Sequence, residues 1–113
     1  MSELDVRELN TMETDSHLYR PVTIGNLTLP GNIFLAPVAG YSDRSFRSIC
    51  VDWGADFTYT EMVSSEAYIR SSAKTEKLIT RAHNERRYAV QIFGANPDFM
   101  AGTAVRIIER YHP

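Results

Sequence analysis

Apolar positions along this chain fall in short runs, and the spacing of those runs predicts its elements. Val22 to Ile24 and Leu27 to Leu29 are β-prone stretches on either side of Gly25-Asn26, a two-residue connection suited to a tight hairpin turn. Pro30 and Gly31 close the second stretch with another turn signal. Ile33 to Ala36 is continuous and apolar, the pattern of a strand buried on both faces. Pro37 stops it, because proline has no N–H for a sheet ladder. After Val38 to Tyr41, Ser42 is a suitable N-cap with Asp43 in the first turn. Phe46, Ile49, Cys50 and Trp53 then recur at i, i+3, i+4 and i+7, one face of a helix that Gly54 ends.

The pattern repeats. Phe57 to Thr60 is β-branched and aromatic and runs out at Glu61 and Met62. Ser64 or Ser65 caps a helical turn through Ala67, Tyr68 and Ile69, and a second short helix covers Ala73 to Ile79. Tyr88 to Phe93 is a third strand closed by Gly94. Asn96 then caps a helix whose first position is Pro97, where the missing N–H costs nothing. Met100, Ala101, Ala104, Val105 and Ile108 form the apolar stripe of that helix.

Strands each followed by helical material predict an α/β fold, a parallel sheet of right-handed βαβ units preceded by a short β-hairpin. An open doubly wound sheet and a (β/α)8 TIM barrel both fit. A barrel needs ~250 residues, so this chain supplies its first three βα units at most. An open sheet of that size leaves both edges bare. A sequence that stops at His112-Pro113, directly after a helix, reads as a fragment truncated before a fourth strand.

Composition narrows the setting. At 113 residues and 43% hydrophobic, the chain has apolar material for a single core. Residues 1–18 lack sustained periodicity and carry Glu3, Asp5, Glu8, Glu13 and Asp15 against Arg7, a net of −4, and read as a flexible acidic leader. The whole chain is −2, so residues 19–113 carry +2, too nearly neutral to advertise nucleic-acid binding by charge alone. No apolar run approaches the ~20 residues that cross a bilayer, and the polar start is unlike a secretory signal. One cysteine, Cys50, allows neither an intramolecular disulfide nor a Cys-based zinc site. These features fit a cytoplasmic protein. His17, His83 and His112 have no metal-ligand spacing, so no metal site is expected.

Ligands of parallel α/β folds lie beyond the carboxyl ends of the strands. Three places therefore matter: Pro37 to Tyr41, Glu61 to Ser64, and Gln91 with the Phe93-Gly94 end. The small residues of the first let a backbone approach a flat ligand, or simply make a tight turn into the helix. Gln91 is the one amide in an apolar run, and its carbonyl and NH2 both need partners, either a pyrimidine edge or a neighbouring strand. Glu61 is a site residue or the partner of an arginine. Arg81, His83, Arg86 and Arg87, with Lys74 and Lys77 upstream, read as a solvated connection. Cys50, on the apolar stripe of its helix, is expected to be buried and inert.

The segment Asn32 to Arg47, with Leu35-Ala36-Pro37-Val38-Ala39-Gly40 at its centre, closely resembles the opening of the tRNA-dihydrouridine synthases. So do Gly54-Ala55, Thr60-Glu61-Met62 with Ser64-Ser65, and Val90 to Gly94, in matching order and spacing from about residue 21 to 113. The resemblance implies a flavin-mononucleotide (FMN) enzyme on a (β/α)8 barrel followed by a helical RNA-binding domain. Reduced flavin, recharged by NADPH, delivers hydride to C6 of a tRNA uridine and a cysteine acid protonates C5. By position, Pro37, Val38 and Ala39 match the loop that lines the flavin, and Gln91 matches the glutamine at its pyrimidine end. The family usually has methionine where Val38 stands, a change that a backbone contact survives. The acid cysteine belongs to a Gly-Cys-Pro motif beyond Pro113, and Cys50 does not replace it. No catalytic residue is therefore assigned within this chain, which alone is expected to be inactive. Two other readings fit: a non-catalytic truncated module, and another FMN-dependent TIM-barrel oxidoreductase acting on a small pyrimidine.

Overall fold

The computed structural model describes residues 18–70 and 73–113, and all of the acidic leader predicted at 1–18 except its last residue lies outside them. The chain divides into two compact units at Ile33–Phe34. In the first, β1 (Val22–Ile24) and β2 (Leu27–Leu29) form the expected antiparallel hairpin, with Val22 opposite Leu29 and Ile24 opposite Leu27. Gly25 takes φ of 57°, a left-handed conformation that glycine adopts without steric penalty.

The second unit holds the βα material, and every strand pairing in it is parallel. Phe34 forms a single parallel bridge with Phe57, and the Leu35 N–H donates to the Phe57 carbonyl at 2.9 Å. The predicted strand at 33–36 is thus reduced to one bridge. β3 (Thr58–Tyr59) pairs with β5 (Tyr88–Ala89), and β4 (Val63–Ser64) pairs with β6 (Ile92–Phe93). The order is that of the sequence: the Phe34 stretch, then the Phe57–Ser64 stretch, then the Tyr88–Phe93 stretch.

The third predicted strand is split into β5 and β6, and β4 lies beyond Glu61 and Met62, where the second was predicted to run out; the register shows why. Thr58 stands opposite Tyr88 but Val63 stands opposite Ile92, so residues 60–62 face only residues 90–91. One extra residue makes a β-bulge. Thr60 closes it: its N–H donates to the Ala89 carbonyl at 2.9 Å, while its Oγ1 accepts from the Gln91 N–H at 3.2 Å and donates to the Glu61 carbonyl at 3.0 Å. The Val63 N–H then resumes the ladder at the Gln91 carbonyl, 2.8 Å away.

Helix α1 (Arg44–Asp52) differs from its predicted packing. Its N-cap is Asp43, whose carboxylate accepts from the Phe46 N–H at 2.8 Å, while Ser42 is buried beneath the preceding loop. The stripe of Phe46, Ile49 and Trp53 is exposed, Trp53 by 87%, and Cys50 is half-buried rather than buried. The buried residue of this helix is Arg47. The apolar stripe that periodicity marks is exposed among the described residues, and Arg47, beside it on the helix, packs inward against Glu85.

Both side chains of that ion pair are fully buried. Arg47 Nε lies 3.1 Å from Glu85 Oε2, its Nη1 donates to the Ser42 carbonyl at 3.0 Å, and its Nη2 donates to the Thr80 carbonyl at 2.8 Å. Glu85 also accepts from the Thr58 hydroxyl and, at 2.8 Å, from the Ala82 N–H. The pair binds α1, β3 and the connection ahead of β5 together.

Helices α2 (Ser65–Ile69), α3 (Ala73–Ile79) and α4 (Pro97–Tyr111) cover one side of the strands, with Val63, Ile79 and Ile107 as the buried cluster and Val90, Ile92 and Tyr111 packed on it. Asn96 caps α4 as expected, its Oδ1 accepting from the Asp98 and Phe99 N–H groups. The inward face of α4 is shifted from the predicted stripe: Thr103 and Ile107 are buried, and Val105 and Ile108 are exposed.

Arg81 corrects a further expectation. It is half-buried, not part of a solvated connection, and its guanidinium donates to the carbonyls of Glu85, Arg86, Tyr111 and His112. It also lies 4.9 Å from the centroid of the Tyr88 ring. Burial pushes the Tyr88 phenol above its ordinary value, with Arg81 pulling the other way. That hydroxyl donates to the Ile79 carbonyl at 2.9 Å.

Removing one member of a fully buried pair strands the other charge, so Glu85→Ala should cost ~3–5 kcal/mol of stability. The double variant Arg47→Met/Glu85→Leu should lie much nearer wild type. Urea unfolding checks both, and a Glu85→Ala loss under ~1 kcal/mol would contradict the pair's role.

Candidate functional site at the carboxyl ends of the strands

The bulge and the alternation of the strands place the candidate residues. Val90 and Ile92 pack on the helix-side cluster, and Tyr88 bonds to α3, so Ala89, Gln91 and Phe93 lie on the opposite face. Tyr59 stands beside Ala89 on that face, and Phe34, Phe57 and Tyr59 form edge-to-face contacts there, with ring centroids 5.5 and 5.3 Å apart. Thr58, one residue out of phase, points to the helices and meets Glu85.

Gln91 is half-buried at the end of this aromatic row. Its backbone is fully used, but among the described residues no hydrogen bond engages its side-chain amide. Among the described residues, no neighbouring strand supplies it a partner. Phe93, two residues on, is exposed on the same face.

The loop from Pro37 to Tyr41 has Pro37 half-buried and Val38, Ala39 and Gly40 exposed. It is folded by its own bonds. The Tyr41 and Ser42 N–H groups donate to the Val38 carbonyl at 3.0 and 2.9 Å. The Ser42 hydroxyl accepts from the Val38 N–H at 2.8 Å and donates back to the Val38 carbonyl at 2.9 Å. Gly40 has φ of 82°, and its N–H donates to Glu61 Oε1. Glu61 thus has a backbone amide as its partner; among the described residues its carboxylate makes no ion pair with an arginine.

The structural roles of four residues escaped sequence reasoning. Thr60 closes the bulge through a hydroxyl that looks like ordinary strand composition. Arg47 and Glu85 anchor the helix that follows the loop, 38 positions apart along the chain. Ser65, buried at the start of α2, has a hydroxyl with no hydrogen-bond partner and sits directly against Gly94.

Comparison with known proteins decides the family. The dihydrouridine synthase (Dus) family profile matches residues 34–112. The chain belongs to the dihydrouridine synthase family. It is 62% identical over 96 residues, 85% of its length, to a probable tRNA-dihydrouridine synthase of Treponema pallidum. It is 42% identical over 89 residues (78% of its length) to tRNA-dihydrouridine synthase B of Pseudomonas aeruginosa. With the synthase B of Pasteurella multocida it shares 40% identity over 81 residues, 72% of its length. The chain spans about a quarter of these curated relatives, 28%, 26% and 24% respectively. Every residue of the loop, the bulge and the Gln91 strand end lies within the matched dihydrouridine synthase region. No helix among the described residues is long and apolar enough to cross a membrane.

The close approach at Gly94 yields a test of the strand end. A Cβ there would meet Ser65 Oγ at 2.1 Å and Met100 Sδ at 3.0 Å. Gly94→Ala should therefore cost ~1–3 kcal/mol. Ser65→Ala alone should be neutral or stabilising, since it removes an unpartnered buried hydroxyl, and it should recover most of the loss in the double variant. Thermal unfolding of the four proteins checks this; additive losses would contradict the contact.

Proposed function

We propose that this chain is the N-terminal portion of an FMN-dependent tRNA-dihydrouridine synthase, folded as the opening of a (β/α)8 barrel, that reduces uridine in tRNA to 5,6-dihydrouridine with NADPH as reductant. The observation that carries the reading is the Gln91 side chain: an amide without a protein partner, on the sheet face away from the helices, at the strand end shared with the Pro37–Gly40 loop. Such a donor–acceptor pair fits the pyrimidine edge of a flavin. A loop of small side chains, already folded by its own hydrogen bonds, suits the close approach of a planar ring. Exposed Phe93 adds apolar surface on the same face.

In this reading Pro37, Val38 and Ala39 line the flavin and Gln91 holds its pyrimidine end. When bound, FMN supplies the hydride-transfer chemistry, and the protein's share is binding, orientation and exclusion of competing reactions. The parallel order of the strands puts the loop and the amide at one end of the sheet, where this reading presents a base extruded from tRNA. This reading assigns protonation of the base to a residue outside this chain and gives Cys50, half-buried on α1, no part in it. The names of the relatives support tRNA as the substrate.

In the full-length protein Gln91→Ala should weaken FMN binding by ~1–3 kcal/mol, read from quenching of flavin fluorescence. Wild-type protein supplied with FMN and NADPH should form dihydrouridine in unmodified tRNA, detected by mass spectrometry. Unchanged FMN affinity in the variant, or no dihydrouridine from the wild type, would contradict the proposal.

A further inference from the structure

Glu61 belongs to none of the residue sets assigned above, yet it sits between them. Its carboxylate accepts from the Gly40 N–H, which ties it to the loop. Its backbone carbonyl accepts from Thr60 Oγ1, the same hydroxyl that accepts from the Gln91 N–H. One residue therefore joins the Pro37–Gly40 loop to the Gln91 strand through two hydrogen bonds and a shared hydroxyl. Glu61 falls within the bulge, between Tyr59, on the face away from the helices, and Val63, which packs on the helix-side cluster. The bonds between Ser42 and Val38 fix the loop's own shape but not its height above the neighbouring strand.

We infer that Glu61 is a positioning residue, whose carboxylate holds the Pro37–Gly40 loop at a fixed height relative to Gln91 so that both meet the same planar ring. The inference rests on the flavin reading of those residues. The function required of Glu61 is acceptance of a hydrogen bond, not negative charge, so a side chain that keeps an oxygen at the same reach should serve. An ionised acceptor binds an amide more strongly than a neutral one, but either satisfies it.

The test uses the full-length protein with FMN as probe and compares Glu61→Ala, Glu61→Gln and Gln91→Ala. Glu61→Ala should weaken FMN binding roughly tenfold or more and change the visible circular dichroism of the bound flavin. Glu61→Gln should restore both, with affinity within about threefold of wild type, because its amide oxygen still accepts from Gly40. The apoprotein melting temperature of Glu61→Gln should match wild type, which separates ring placement from general stability. Wild-type affinity and dichroism in Glu61→Ala, with weakened binding in Gln91→Ala, would overturn the role of Glu61 and leave the flavin reading standing. Tenfold weakening in Glu61→Gln would also overturn it, since the acceptor is retained. Wild-type affinity in all the variants, or no FMN binding by the wild type, would overturn both.

Discussion

Burying a guanidinium beside a carboxylate costs desolvation that only near-complete hydrogen bonding offsets, and Arg47 and Glu85 meet that condition through the elements around them. Arg47 donates to Glu85, to the carbonyl of Ser42 and to that of Thr80; Glu85 also accepts from Thr58 and Ala82. Together these bonds join α1 and the loop before it, β3, and the connection between α3 and β5. A shift of α1, of β3 or of the connection before β5 leaves a buried polar atom unpaired. The same bonds reach the candidate site, since Ser42, held through its carbonyl by Arg47, folds the Pro37–Tyr41 loop through its hydroxyl. An electrostatic anchor on the helix side is thus bonded to the loop at the carboxyl ends of the strands.

The two sides of the sheet are chemically distinct. Toward the helices lie Val63, Val90, Ile92 and the Thr58–Glu85 contact. On the other face lie Phe34, Phe57, Tyr59, Ala89 and Gln91, aromatic or small with one amide among them. The second set suits a planar heteroaromatic ring, and the bulge at Thr60–Met62 is where the strand exchanges ladder bonds for side-chain bonds that serve that face. Bulges re-aim side chains next to functional sites in this way.

Local signals were legible where local chemistry decides. The Gly25-Asn26 hairpin, the Ser64 and Asn96 caps and the parallel order of the βα units follow from turn residues, hydroxyl or amide caps and hydrophobic runs. The family resemblance rests on Asn32 to Arg47, Gly54-Ala55, Thr60 to Met62 with Ser64-Ser65, and Val90 to Gly94, and from Phe34 on these lie within the matched region. What escaped depends on partners distant in sequence. The Phe46, Ile49 and Trp53 stripe identified an apolar face but not what covers it, and Arg47, on the other face, meets Glu85 38 positions away. A bulge shifts register by one residue without changing composition, so Thr60 and Glu61 kept the appearance of an ordinary strand end. Arg81 read as a surface charge because its acceptors are backbone carbonyls, which leave no mark in a sequence.

In the proposed function the Gln91 amide and the Pro37–Ala39 loop face one flavin from the carboxyl end of the sheet. A crystal structure of the full-length protein with FMN would decide this. The Gln91 amide should lie within hydrogen-bonding distance of the pyrimidine edge of the ring, with the backbone of Pro37 to Ala39 against its plane and Glu61 still on the Gly40 N–H. FMN bound elsewhere, or a Gln91 amide bonded to protein while the flavin is in place, would contradict it.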